Sequence, residues 1–535
     1  MRKTILALLA VFALFSCKTA APVTECVNPL TYTDIPDPDV IRVGDDYYMV
    51  STTMYYCPGA PIMHSRDLVH WRIINYVYDV IEDDDVYNLR NGQNAYGKGQ
   101  WATSLKYHDG RYYALFIAND QHKTYVYSTD DIRGKWTRSV IDEPFHDASL
   151  LWDEGRCYVI WGNGEIYIKE LTSDASAIKE GGLHQLLFST PEGYMLRDEG
   201  ARALKIGKYY YVFTIAWKRE GVRTEHCWRS ETLTGPYEKK VVLEGKFDGR
   251  NDGVAQGTII DSPDGKEWYA IMFQDHGAVG RIPTLQHVSW TEDWPILGNN
   301  TLPEKTIAVA LAEDEPSYVW ADDEFSEPEL QLVWQWNHKE PVDGWSLAER
   351  EGWLRLKPQT VSTGLVMAPG TLTQRTVGPL SRVEVKLDAS GLKAGDAAGL
   401  SAFQSNYARI GVDVDENALP CLVAVIRNSG RVAETFINGK ADGGEKELLR
   451  LPLSQKEVWL AIDYVFTPKN PDCKADQAWC SYSLDGENWT RIEEPLDMKF
   501  TLDYFTGYRN ALYCYSKSSM GGYADFDYYR VSTTK

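Results

Sequence analysis

At 535 residues the chain is too long for one hydrophobic core, so two or more domains are expected. A hydrophobic content of 44% with 24% charged residues excludes disorder, and the net charge of −21 excludes nucleic acid, whose phosphates need clustered Lys and Arg. Aromatics stand out, with 18 Trp and 33 Tyr, a load that suits pleated β-surfaces and the partly apolar faces of sugars.

The first twenty residues read as a targeting segment. Arg2 and Lys3 form a basic start, and the apolar stretch from Ile5 to Phe15 is too short to stay in a bilayer as a spanning helix. Leu14-Phe15-Ser16-Cys17 resembles a bacterial lipobox. That resemblance implies cleavage before Cys17, lipidation of its thiol, and contact with a membrane only through the lipid. Lys18-Thr19-Ala20 lacks an acidic run that would favour surface export, so a periplasm-facing anchor is expected. The other eight cysteines show no disulfide framework; Cys473 and Cys480 could pair across a loop, and the rest read as small buried hydrophobes. No CxxC pair or HExxH segment suggests a zinc site.

An internal repeat follows. A short apolar strand, a polar turn and a second strand opening on aromatics recur at Val40 to Ser51, Ser104 to Ile117, Ser149 to Trp161, Arg202 to Thr214 and Ile259 to Phe273. Asp109-Gly110 and Asp264-Gly265 are strong hairpin signals; Glu154-Gly155 and Gly207-Lys208 are weaker ones. Hairpins at intervals of roughly 45 to 65 residues predict propeller blades, and five copies predict five of them.

Aligning the copies exposes candidate chemistry. Asp37 stands ten residues before Tyr47, Asp147 ten before Cys157 and Glu199 ten before Tyr209; the second copy has Ala102 there, beside Trp101, and the fifth has Gln256 nearby. Equal offsets place three carboxylates where the innermost strands of three blades begin, around one central space. A lone Asp-Pro would be a turn former. Three matched acids that must shift one another's pKa values point instead to acid–base work.

These residues resemble glycoside hydrolase family 43. The likeness is carried by Pro36-Asp37-Pro38-Asp39 and the hairpin after it, His64-Ser65-Arg66-Asp67-Leu68-Val69-His70-Trp71, Trp101-Ala102, Asp147-Ala148-Ser149-Leu150, Glu199-Gly200-Ala201 and Gln274-Asp275-His276-Gly277-Ala278-Val279-Gly280-Arg281. It implies inverting hydrolysis with Asp37 as general base, Glu199 as general acid and Asp147 orienting and tuning the acid. Trp101, Arg281, Gln256 and His276 are the expected substrate-side residues. No metal is required for the chemistry. Some members carry a His at the Gln256 position, associated with a central calcium ion; Gln here weakens that expectation, and His276 with pore waters is left to support it.

The remaining chain would by itself read only as an all-β domain of about 200 residues. Trp334-Gln335-Trp336-Asn337 and Gly522-Tyr523-Ala524-Asp525-Phe526-Asp527 are similar to the C-terminal β-sandwich of β-xylosidase and arabinofuranosidase members, which can lend an aromatic to the pocket rim. Phe505 and Tyr508 are the candidates. The expected organisation is therefore all-β: a leader and anchor over 1–20, a five-bladed β-propeller over 21–312 and a β-sandwich over 320–535. The expected reaction is exo-acting release of terminal α-L-arabinofuranosyl units from hemicellulose oligosaccharides, on arabinoxylan or xyloglucan side chains. A β-D-xylosidase on the same scaffold, or a non-catalytic carbohydrate-binding propeller, are the alternatives.

Overall fold

The computed structural model describes residues 23–247, 252–428, 444–466, 476–500 and 505–534; Cys17 and Cys473 lie outside them. Apart from two short 3-10 turns, Gly277–Val279 and Leu365–Met367, every element among the described residues is a strand. No helix among them is long and apolar enough to cross a membrane. The seven described cysteines are buried with no disulfide among them.

Each repeat opens a four-stranded antiparallel sheet, and the five sheets are the expected blades. Their innermost strands are Asp39–Val43, Ser104–His108, Ser149–Asp153, Tyr194–Ile206 and Ala255–Asp261. Each touches the next and the fifth touches the first, which closes the ring. The hairpin turns explain the regularity: Asp109 and Gly110 have φ of 47° and 78°, and Glu154 and Gly155 have 48° and 74°. Two consecutive left-handed residues suit the right-handed strand twist, so the weaker Glu-Gly signal encodes the same turn. The apolar cores lie between blades. Tyr211 and Phe213 of the fourth pack with Ile259 and Met272 of the fifth, and Leu151 and Ile160 of the third with Ala203 and Val212 of the fourth. Thr24–Val27 pairs antiparallel with Thr306–Val309, so the two ends of this segment are tied together.

The C-terminal half is a sandwich of two eight-stranded sheets. In one, Leu380–Asp388 alternates half-buried and buried residues, with Val383, Val385 and Leu387 facing Leu400, Ile410 and Leu512 of the other sheet. The other sheet does not alternate: Asp396–Phe403, Tyr407–Val414 and Arg509–Ser516 are buried at every position. Its second face is covered by the propeller, where Tyr78 and Phe116 join Phe403, Tyr407 and Tyr513 in one cluster. Tyr56–Cys57, from a connection inside the first blade, pairs with Gln335–Asn337 and forms the edge strand of that sheet. The two halves therefore interlock rather than meeting only at a linker between 312 and 320. Pairing that edge satisfies backbone groups that would otherwise be buried unmade.

Candidate active site

Asp37 and Asp147 stand two residues before their inner strands and Glu199 within its own, and all three line one cavity of about 360 Å³ at the propeller centre. The ladders refine the equal offsets seen in the sequence. Val43 faces Asp46, Asp153 faces Arg156 and Ile206 faces Tyr209. Counted back from these closing pairs, Asp37 and Asp147 occupy one level, and that level in the fourth blade is Gly200, not Glu199. The same left-handed kink marks it in all three, with φ of 52° at Asp37, 48° at Asp147 and 69° at Gly200. Aspartate tolerates that region better than most residues, and glycine adopts it freely. A Cβ at Gly200 would also lie 2.9 Å from the Gln256 side chain. An irregularity between Glu199 and Arg202 absorbs the extra residue, and the longer Glu side chain still reaches the cavity.

Asp37 is the most enclosed of the three. Its Oδ2 accepts a 2.6 Å hydrogen bond from Thr52, and its Oδ1 is ion-paired with Arg281. Arg281 in turn contacts Asp275 at 3.2 Å, and Asp275 pairs with Arg223, so the base of the cavity is a chain of alternating charges. Across the channel, Arg202 donates to the Asp37 carbonyl at 3.2 Å. Burial holds the Asp37 carboxyl above its ordinary range; Arg281 opposes this, Asp147 adds to it and the Thr52 hydrogen bond opposes it.

Glu199 is held from the other side. Its Oε2 accepts from Asn163 and lies 3.4 Å from His146 Nε2, which is also 3.8 Å from Asp147 Oδ2. Burial raises Asp147, with His146 opposing and Glu199 adding. The His146 imidazole is pushed up to about 9, chiefly by the Asp147 charge, so it is a cation at neutral pH. Exposure differs among the cavity side chains: those of Asp37, Asp147, Glu199 and His146 are 2%, 8%, 18% and 30% exposed, and Met195 is 55% exposed. Asp37 is the enclosed acid and Glu199 the more open one.

The other expected residues divide. Trp101, Arg281 and Gln256 line the cavity. Gln256 is fixed by its backbone N–H, which donates to Glu225 at 2.7 Å; burial pushes that carboxyl up to about 8. His276 is not among the lining residues: it is 1% exposed, with ring nitrogens 3.2 Å from the Tyr32 hydroxyl and 2.9 Å from Gln274. Both of its ring nitrogens are within hydrogen-bond reach of those neighbours. The atoms of His146, Asp147 and Glu199 lie within 4.8 Å of one another, a spacing that could also hold an ion. Of the two sandwich candidates, Phe505 lines the cavity, 5.5 Å from Trp101 and 4.2 Å from the Arg281 guanidinium, measured to ring centres. Tyr508 is fully buried in the sandwich core. His146, Asn163 and Arg223 were not anticipated; only His146, beside Asp147 in sequence, carried any signal.

Two carboxylates lining one pocket, one fixed by a cation and one more open to solvent, can act as base and acid on a bound glycoside. Comparison with known proteins agrees in kind. Residues 26–295, half of the chain, match the model of glycosyl hydrolases family 43, and residues 322–532 match the beta xylosidase C-terminal concanavalin A-like domain. A beta-xylosidase of Formosa agariphila is 29% identical, covering 94% of this chain and 89% of its own. A non-reducing end alpha-L-arabinofuranosidase of Bacteroides ovatus is 28% identical over 65% of this chain and 68% of its own. A solved bifunctional GH43-CE protein of Bacteroides eggerthii superposes with a TM-score of 0.85 at 39% identity over 96% of this chain, which spans 64% of that one. The chain belongs to glycosyl hydrolases family 43 and is a glycoside hydrolase.

Proposed function

We propose that this glycoside hydrolase removes single terminal pentosyl units from xylan-type hemicellulose oligosaccharides with inversion. Asp37 is the general base, Glu199 the general acid, and Asp147 with His146 and Asn163 orients the acid. The observation that carries this reading is the exposure gradient from Asp37 to Met195. In an inverting reaction water attacks opposite the departing group, so base and leaving group lie on opposite sides of the anomeric carbon. With the base at the closed end, the cavity admits one sugar and the rest of the chain leaves through the mouth, beside the acid. That is exo action. The proximity of three acids also argues against a pure binding module, which gains nothing from mutual repulsion.

Between the two pentoses, the sequence favoured α-L-arabinofuranosyl. The relative named beta-xylosidase matches far more of this chain than the one named arabinofuranosidase, 94% against 65%, which moves the weight to β-D-xylosyl. Arabinofuranosyl is the second reading. Rates on aryl β-D-xyloside and aryl α-L-arabinofuranoside decide between them, and NMR of the first-formed sugar tests inversion; retention of configuration would overturn the mechanism. Lipidation at Cys17 and a periplasm-facing anchor remain proposals from the sequence, tested by palmitate labelling of wild type against Cys17→Ser.

A further inference from the structure

The strand that carries Glu199 does little to hold it. Its ladder with Tyr209–Lys218 breaks register between Leu196 and Glu199 and again between Glu199 and Arg202, so Glu199 pairs with Ile215 between two irregularities. Irregularities of this kind leave residues outside the ladder, and other contacts have to fix the position. They converge on Asp198, the residue before Glu199, whose side chain is fully buried and is not among those lining the cavity. Its Oδ1 accepts hydrogen bonds from Thr214 Oγ1 at 2.6 Å and Trp228 Nε1 at 3.3 Å, and lies 2.7 Å from His226 Nδ1. Thr214 belongs to the second strand of the blade, and His226 and Trp228 to the third, Arg223–Ser230. The backbone of Asp198 is held instead by the neighbouring blade. Its N–H donates to Thr190 Oγ1 at 2.8 Å, and its carbonyl accepts from the Gly164 N–H at 2.8 Å. Gly164 directly follows Asn163, whose side chain donates to Glu199. The residue before the carboxyl and the residue after its donor are therefore bonded to each other.

A carboxylate is a costly way to fill this place. Its donor Trp228 is part of the apolar layer between the third and fourth blades, where the indole stacks on Phe188 with ring centres 4.0 Å apart. Replacing a buried charged pair by apolar side chains is often neutral or stabilising, so stability alone does not account for Asp198 and His226. What three donors from two strands provide, and an apolar side chain does not, is one fixed location. We infer that Asp198, anchored by His226, Thr214 and Trp228, is a positioning residue for the general acid. It locks the peptide between the two irregularities so that the Glu199 carboxyl stays against Asn163 and His146. Asp198 touches no substrate and acts only through Glu199, so the inference rests on Glu199 being the acid. The base needs no such device, because Asp37 is held through its own carboxylate by Arg281 and Thr52.

The test separates proton donation from everything else the pocket does. For wild type, Glu199→Gln, Asp198→Ala, Asp198→Asn and Thr190→Val, kcat/KM is measured on the phenyl and 2,4-dinitrophenyl glycosides of the pentose that wild type releases. Both leaving groups are single aromatic rings, but only phenol needs a proton to depart. The phenyl-to-dinitrophenyl ratio is expected to fall about a hundredfold in Glu199→Gln, about tenfold in Asp198→Ala and about threefold in Thr190→Val. Asp198→Asn keeps an acceptor oxygen for the three donors and should recover most of the Asp198→Ala loss. A weakened fold or a loosened sugar pocket lowers both rates and leaves the ratio alone. Unchanged ratios in Asp198→Ala and Thr190→Val, beside a reduced one in Glu199→Gln, would overturn the inference and leave the acid in place. A Glu199→Gln ratio equal to that of wild type would instead overturn the assignment of the acid, and the inference with it. Thr190→Val is isosteric at a half-buried site and removes the acceptor of the Asp198 N–H, so its ratio decides the matter even where Asp198→Ala fails to fold.

Discussion

Asp37 sits at the closed end of the cavity with both carboxylate oxygens engaged, by Arg281 and Thr52, and with its carbonyl held by Arg202. Glu199 sits toward the mouth, where the donors Asn163 and His146 both reach Oε2 and a distorted strand supplies apolar neighbours. The contrast suits the roles proposed for the two residues. A base must stay ionised although burial favours its neutral form, and a fixed guanidinium offsets that cost. An acid must reach a group that departs toward solvent, so it stands where the pocket opens. Rigidity is concentrated at one end and access at the other.

Arg281→Ala should break this contrast most severely. It leaves Asp37 and Asp275 buried without their shared cation, and kcat/KM should fall by about a hundredfold or more. The sign of the pH effect is fixed. Arg281 opposes the burial that raises Asp37, so removing it raises that carboxyl further, and the acid limb of the kcat/KM profile moves to higher pH. A limb that stayed in place would mean that Asp37 is not the base.

Phe505→Ala sharpens the comparison, because Phe505 is the sandwich's contribution to the closed end and packs on both Trp101 and Arg281. A roughly tenfold loss in kcat/KM is expected, from a looser guanidinium and a wetter pocket. Equal activity in wild type and variant would show that the sandwich only supports the propeller.

How much of this was legible in the chain follows the same divide. The blades were visible because hairpin chemistry and aromatic strand openings repeat locally, and the three acids were visible because each is tied to its own hairpin. The one-residue offset of Glu199 was hidden: counting to Tyr209 skips the irregularity between Glu199 and Arg202, which is a property of pairing rather than of composition. The long-range partners were equally hidden. Phe505 reaches the cavity from more than 400 residues beyond Asp37, and nothing local distinguishes it from Tyr508, which the fold buries in the sandwich. The edge strand Tyr56–Cys57 reads as part of a connection because its partner, Gln335–Asn337, lies in the other half of the chain.

The smallest expected effect concerns His146 at the open end. Its folded pKa of about 9 lies above the ordinary 6.5, so the charge it gains from Asp147 stabilises the fold fully below pH 6.5. That contribution disappears as pH rises through 9. The Tm difference between wild type and His146→Asn should therefore shrink by a few degrees from pH 6 to pH 9.5, as followed by thermal unfolding. A difference independent of pH would mean that His146 acts there only by its shape.

The assignment of the two ends is tested most directly by leaving-group dependence in Asp37→Ala and Glu199→Gln. With an activated 2,4-dinitrophenyl glycoside, which needs no proton, Glu199→Gln should retain most of the wild-type rate while losing about a thousandfold on an unactivated sugar leaving group. Asp37→Ala should lose about a thousandfold on both, because water must be activated whatever departs. The reverse pattern, with Asp37→Ala rescued by the activated substrate and Glu199→Gln inert on both, would contradict the placement of base and acid at the closed and open ends of the cavity.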